Sequence, residues 1–266
     1  MPSPRARLQP DERAVQAALR RRGLAWNGER DPTPLLLPRG AARTRHYRLL
    51  GHYSYRLFLR DVLQHRDQLR PSVLTRYVTP TVARRYLRFL AGAGLVTRRA
   101  HGAYRLGNPR IVSFGGTLEW YVAELLAREF DCAATYGLRI RHARHGGDYD
   151  VIACTEGEVL YAETKSAPPR QIVQAEVGAF LDRIDTLRPD LALFVADTTL
   201  RMRDKLVPLF AAEVARRGLG WVAVRLAGEI WRVGPEVYLT NADPDLGRNL
   251  GTCLAAHFRG RGIAIS

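Results

Sequence analysis

Asp150, Glu163 and Lys165 carry side chains able to do chemistry, and the chain between them reads as a hairpin. Two β-rich stretches flank Glu156-Gly157, a pair suited to a tight two-residue turn. If those two residues form the whole loop, Thr155 faces Glu158. Counting outward then sets Asp150 opposite Glu163 and Asp148 opposite Lys165. Facing residues have Cβ atoms about 5 Å apart on one face of the ribbon. Glu163 and Lys165, two apart on one strand, share that face, whereas a three-residue loop would split the two acids between faces. Paired carboxylates make a hard oxygen site for Mg²⁺, with Mn²⁺ as a substitute, and such an ion keeps waters and accepts phosphate oxygens. It would polarise a phosphodiester and acidify water, while a neighbouring lysine orients the water or holds the phosphate. The spacing therefore predicts metal-assisted phosphodiester hydrolysis.

Such a hairpin needs elements to hold it. Before it, Gly115-Gly116-Thr117 opens a helix to about Phe130, with Leu118, Val122, Leu125 and Leu126 inward, and a strand follows over 134–141. His142 and His145 fall in the loop ahead of Asp148 and read as exposed loop residues, with contact to DNA the alternative. After the hairpin, 170–187 predicts a helix, and the apolar run 191–196 a buried strand. A helix over 201–217 and a strand over 221–225 come next, with Asp197 a candidate cap for that helix. An edge hairpin and a closing helix are expected over 229–258.

A carboxylate on a leading helix, then Asp, a hairpin and Glu-x-Lys resembles the PD-(D/E)XK nuclease superfamily, the restriction-endonuclease-like fold, over residues 113–225. The resemblance implies a mixed α/β (α+β) fold with an αβββαβ core. It also implies Asp150 and Glu163 as metal ligands and Lys165 as the catalytic lysine. Glu119 would be the further carboxylate some members use, and Gln171 and Gln174 would point back at the site. The proline the family carries before its Asp is replaced here by Tyr149. Asp148 either extends the site or pairs with Lys165.

The N-terminal half has a different character. Residues 1–112 hold 23 Arg and six acids, so the whole +15 charge excess lies there, and the remainder is close to neutral. Only two of the 41 basic residues are lysines, Lys165 and Lys205. Residues 1–46 read as a basic arm: a short helix capped by Asp11, with Val15, Ala18 and Leu19 inward, then a Pro-rich linker. Within residues 47–110, helices are expected over 53–63, over 71–77 and from Thr79, followed by a basic hairpin around residues 100–103. That order resembles a winged helix-turn-helix domain, all-α apart from its wing. The resemblance implies that Arg84, Arg85 and Arg88 on the third helix, with Arg98 and Arg99 on the wing, contact double-stranded DNA. Residues 111–266 form the expected nuclease domain.

At 266 residues and 29.9 kDa, with 46% hydrophobic residues, the chain has the make-up of a soluble globular protein with a full core. No apolar run is long enough to span a bilayer. Three cysteines without a CxxC pair argue against a disulfide framework and for a reducing, cytoplasmic setting. The expectation is a Mg²⁺-dependent DNA endonuclease, in bacterial restriction or defence or in DNA repair. Two readings remain beside it: a non-catalytic DNA-binding regulator with a nuclease-like dimerisation half, and an RNA-cleaving enzyme of the same fold. Cutting both strands would favour a homodimer, though no residue demands one.

Overall fold

The computed structural model describes residues 9–26, 28–140 and 148–260; His142 and His145 lie outside them. In chain order the first elements are α1 (Pro10–Arg21), α2 (Ala42–Leu50), α3 (Tyr53–Gln64), α4 (Pro80–Gly92), β1 (Val96–Arg98), β2 (Tyr104–Leu106) and α5 (Gly115–Phe130). There follow β3 (Ala133–Arg139), β4 (Asp148–Thr155), β5 (Glu158–Lys165), α6 (Gln174–Leu187), β6 (Leu191–Ala196), α7 (Leu206–Arg216), β7 (Val224–Ala227), β8 (Ile230–Arg232), β9 (Val237–Thr240) and α8 (Leu246–Gly260). Two compact units result. One is Pro32–Tyr121; the other joins the residues up to Asp31 to those from Val122 onward, with α5 running through the division.

In the unit Pro32–Tyr121, α2, α3 and α4 precede the antiparallel β1–β2 hairpin. Thr79 caps α4 by accepting the Val82 N–H, Pro80 fits the first turn, and Ala83, Tyr86, Leu87 and Leu90 are buried. In the hairpin Val96, Tyr104 and Leu106 face inward while Thr97, Arg98 and Arg105 are exposed. The helix expected over 71–77 is absent. Only Leu74 is buried there, while Val73 and Tyr77 are exposed, so the segment has no apolar face to bury and forms turns. The additional helix is α2, which straddles the expected boundary between the linker ending at residue 46 and the segment 47–110. It buries His46, whose pKa falls to about 4 because burial disfavours the imidazolium.

The second unit is built on a seven-stranded mixed sheet in the order β3-β4-β5-β6-β9-β8-β7. β3, β4 and β5 are antiparallel neighbours, and β5, β6 and β9 run parallel. All six β6 residues are buried, as a continuously apolar central strand requires. Val15, Ala18 and Leu19 of α1 join one core with Val177, Phe180 and Leu181 of α6 and Phe210 of α7. The first helix is thus part of the sheet's packing instead of a separate arm, and the sequence-based boundary at residue 46 moves accordingly. Its cap also differs: Gln9 holds that place, and Asp11 lies in the first turn. On α8, Gly251 sits so close to Phe130 of α5 that an added Cβ would come within 3.1 Å of the ring. Among the described residues no helix is long and apolar enough to cross a membrane, and all three cysteines are free.

Candidate active site on the β4–β5 hairpin

The hairpin turn adopts the expected form. Glu156 and Gly157 take φ of 48° and 83°, the left-handed pair that closes a two-residue turn with the twist of the flanking strands. Thr155 faces Glu158, and the ladder continues to Val151 opposite Ala162. There it ends. The Asp150 carboxylate turns onto β5 and accepts the Thr164 backbone N–H at 2.7 Å, with the Thr164 hydroxyl at 3.2 Å. A continued ladder would give that N–H to a β4 carbonyl. The acid therefore replaces a main-chain acceptor and ends up beside Glu163.

Glu163 is buried, 3% exposed, between three donors. Its Oε2 accepts the Tyr161 hydroxyl and Arg183 Nη1 at 3.2 Å; its Oε1 lies 3.0 Å from Lys165 Nζ. Lys165 Nζ also lies 3.0 Å from Glu176 Oε1. The other Glu176 oxygen accepts the Val173 N–H, closing the first turn of α6.

These contacts set the protonation states. Burial, then the Glu163 charge, raises the Asp150 carboxyl to about 7, against smaller opposing effects of the Thr164 N–H, Lys165 and Arg183. Burial pulls the Lys165 ammonium down, but Glu163 and Glu176 more than offset this, so its pKa lies above the ordinary lysine value. Burial raises Glu176, and the Val173 N–H with Lys165 outweighs it, leaving that acid below its ordinary value. At neutral pH the cluster thus holds a charged lysine and one carboxyl balanced between its two forms.

Asp150, Glu163 and Lys165 come together; several other sequence candidates do not join them. Asp148 is exposed and pairs with Arg139 across β3–β4 at 3.0 Å, because β4 has its nearer cation on that side. It neither meets Lys165 nor extends the site. Gln174 Nε2 donates to the Leu209 carbonyl and to Glu213 Oε2, both at 3.1 Å, so it serves α7. Gln171 is exposed on a 3-10 turn, Pro169–Gln171, because α6 begins only at Gln174. Glu119 is half-buried in the first half of α5, within the unit Pro32–Tyr121. Asp197 is buried and does not cap α7, which starts at Leu206 behind Lys205. In the unit Pro32–Tyr121, Arg84, Arg85, Arg88, Arg98 and Arg99 are all exposed, and Arg88 and Arg98 line one notch of about 430 Å³.

Sequence reasoning missed Tyr161, Glu176 and Arg183. Tyr161 lies two residues before Glu163 on the same strand face. Glu176 and Arg183 lie two turns apart on one face of α6, a polar pair that the helix expected over 170–187 already contained.

Among the described residues no group of three or more His, Cys, Asp or Glu converges to hold a metal ion, so any ion here would rest on the two carboxylates. No protein-family model matches the sequence, and no curated protein does. Solved structures that resemble the chain include the following two. Can2 from Sulfobacillus thermosulfidooxidans, in complex with cyclic tetra-adenylate, is 13% identical with a TM-score of 0.52, over 91% of this chain and 59% of that one. Protein VC1899 from Vibrio cholerae is 15% identical with a TM-score of 0.45, over 96% of this chain and 58% of that one. The chain thus spans less than two thirds of either protein, and the likeness to Can2 is one of fold: a mixed α/β chain around a seven-stranded sheet.

Proposed function

We propose that the chain is a divalent-metal-dependent nuclease of the PD-(D/E)XK kind, with its reaction centre at Asp150, Glu163 and Lys165. The observation that carries this reading is the meeting of two carboxylates and one ammonium where the β4–β5 ladder ends. The element order α5-β3-β4-β5-α6-β6 supports it, since this is the αβββαβ order the resemblance implies.

The donor set fits a hard cation. Among the described residues no hydrogen bond occupies Asp150 Oδ1, and the rise of that acid to about 7 reports negative charge that burial leaves uncompensated. Glu163 keeps one lone pair on Oε1 beside Lys165, enough for a single bond to an ion. Asp150 and Glu163 would hold Mg²⁺ or Mn²⁺, which would supply charge stabilisation to a phosphodiester and lower the pKa of water. Tyr161 and Arg183 fix the Glu163 carboxylate in one orientation. Lys165, charged at neutral pH, would hold a phosphate oxygen.

The arginines of α4 and of the β1–β2 hairpin would bind the backbone of double-stranded DNA in the manner of a winged helix, with binding that weakens steeply as salt rises. Restriction, defence or repair would use this chemistry. The assay is incubation with plasmid, linear duplex, single-stranded DNA and RNA, with Mg²⁺ or with EDTA. Cleavage in Mg²⁺ that EDTA and Lys165→Ala each abolish is expected. No cleavage of any substrate, or cleavage unchanged by Lys165→Ala, would overturn the reading. The fold likeness to Can2 favours a second reading, that a cyclic oligoadenylate is a ligand here. Direct binding of cyclic tetra-adenylate by calorimetry tests it, and no heat at micromolar protein sinks it.

A further inference from the structure

Lys165 is held from two sides by carboxylates on different elements: Glu163 on its own strand and Glu176 in the first turn of α6, each 3.0 Å from Nζ. An ammonium has three N–H donors and rotates freely about its terminal bond, so one anchor leaves the other donors undirected. Two anchors fix it. Among the described residues no third acceptor is present, so one N–H remains for another partner, and the side chain keeps 19% exposure.

The geometry points to Glu176 as a positioning residue that fixes the Lys165 ammonium between β5 and α6, leaving one N–H aimed at a substrate phosphate; this rests on the nuclease reading above. The two Glu176 oxygens divide the work. Oε1 meets Lys165, and Oε2 accepts the Val173 N–H that starts α6. The carboxylate is therefore anchored by the helix it caps, and the lysine inherits that anchor. The segment between β5 and α6 runs through Pro168 and Pro169, whose fixed φ restricts the approach of the helix start to the strand end.

The test separates the hold from the cap. Glu176→Gln keeps a carbonyl oxygen for the Val173 N–H but removes the charge facing Lys165. The chain's two lysines, Lys165 and exposed Lys205, allow a ratio measurement that needs no activity. Both are labelled with a limiting amine-reactive ester, and the products are quantified by peptide mass spectrometry. Relative to Lys205, Lys165 is expected to label several-fold faster in the variant, while the melting temperature stays within about 2 °C. Loss of one charge-assisted contact is expected to lower kcat roughly tenfold with KM unchanged. An unchanged labelling ratio overturns the hold. A fall in kcat that tracks loss of folded protein overturns the positioning role and leaves a cap. A raised ratio in a protein that cuts no substrate would keep the hold and reject the nuclease reading.

Discussion

Two clusters of acids and arginines in the sheet-bearing unit use similar groups to opposite effect. On α7, Glu213 is 1% exposed and meets Arg216 Nε at 2.9 Å, Arg217 Nε at 2.8 Å and Gln174 Nε2 at 3.1 Å. Arg217 in turn reaches Asp182 at 2.7 Å and the Gly178 carbonyl at 2.8 Å on α6. The Arg216 contact, then Arg217 and Gln174, overcome the effect of burial and hold Glu213 down at about 2. At the hairpin, burial and a second acid drive Asp150 up to about 7, although Lys165 and Arg183 are close. The difference lies in arrangement. Around Glu213 three donors, Arg216, Arg217 and Gln174, converge on one acid; at the hairpin Lys165 and Arg183 meet Glu163, and Asp150 receives a backbone amide and its neighbour's charge. The first cluster is a compensated joint between α6 and α7. The second stores uncompensated negative charge where it can recruit a cation.

The largest expected effect removes that charge. Asp150→Asn keeps an oxygen for the Thr164 N–H but lacks the second carboxylate. Metal stabilisation of a phosphoryl transition state is worth several kcal/mol, so cleavage should fall about 10³-fold or more in a plasmid assay. Stability should move the other way. The folded chain binds the Asp150 proton more tightly than the unfolded chain, whose carboxyl titrates near 3.8. Its stabilising contribution is therefore full below that value and is lost as pH rises to about 7. In EDTA at pH 8 the variant should melt higher than wild type, and Mg²⁺ should raise the melting temperature of wild type alone. A variant that melts lower at pH 8 would show Asp150 to be compensated after all, and the contrast with Glu213 would dissolve.

The opposite signature is expected at Glu213. Glu213→Ala leaves Arg217 half-buried with one acceptor fewer and strips Gln174 of a partner. Discounted for the exposure of Arg216, the loss should be about 2 kcal/mol, read as a lower midpoint in urea. Cleavage by the folded fraction should persist. The acid's folded pKa lies below its ordinary 4.5, so the stability it contributes is present above that value and is lost as pH falls toward 2. Wild type should therefore lose stability between about pH 4.5 and 2 more steeply than the variant. Equal slopes would remove Glu213 as the source.

The sequence carried the hairpin further than the helices around it. A two-residue Glu-Gly turn fixes register by counting as far as Val151 opposite Ala162, and the Asp150 side chain, turned onto Thr164, then sets the acid beside Glu163. Counting fails at Asp148, where extending the ladder past Asp150 would have met Lys165. The side chain of Asp150 interrupts that ladder, a competition between side chain and main chain that periodicity does not encode. Likewise 170–187 is apolar at helical spacing throughout, but the start at Gln174 depends on the Glu176 cap. The Glu176–Arg183 face was already in register on the expected helix; periodicity does not say that this face turns toward Glu163 and Lys165. In the Arg-rich unit, α4 and its exposed arginines were legible from Thr79-Pro80 and the apolar face. The turns over 71–79 were not, since Ser72 is a cap-type residue, although it lacks the cap-then-proline order of Thr79-Pro80.

The smallest expected effect bears on the residue the family resemblance placed at the site and the structure places in the joint. Gln174 bridges the Leu209 carbonyl and Glu213, so Gln174→Ala loses two neutral-donor hydrogen bonds in a part-buried position. That should cost about 1 kcal/mol in a urea titration, with Glu213 still held by its two arginines. Combined with Glu213→Ala the two losses should be less than additive, because both break the same contact. Cleavage by Gln174→Ala should match wild type. If instead cleavage falls tenfold while the urea midpoint is unmoved, the amide serves the phosphodiester chemistry, and the boundary drawn here between an idle joint and a working hairpin runs on the wrong side of α6.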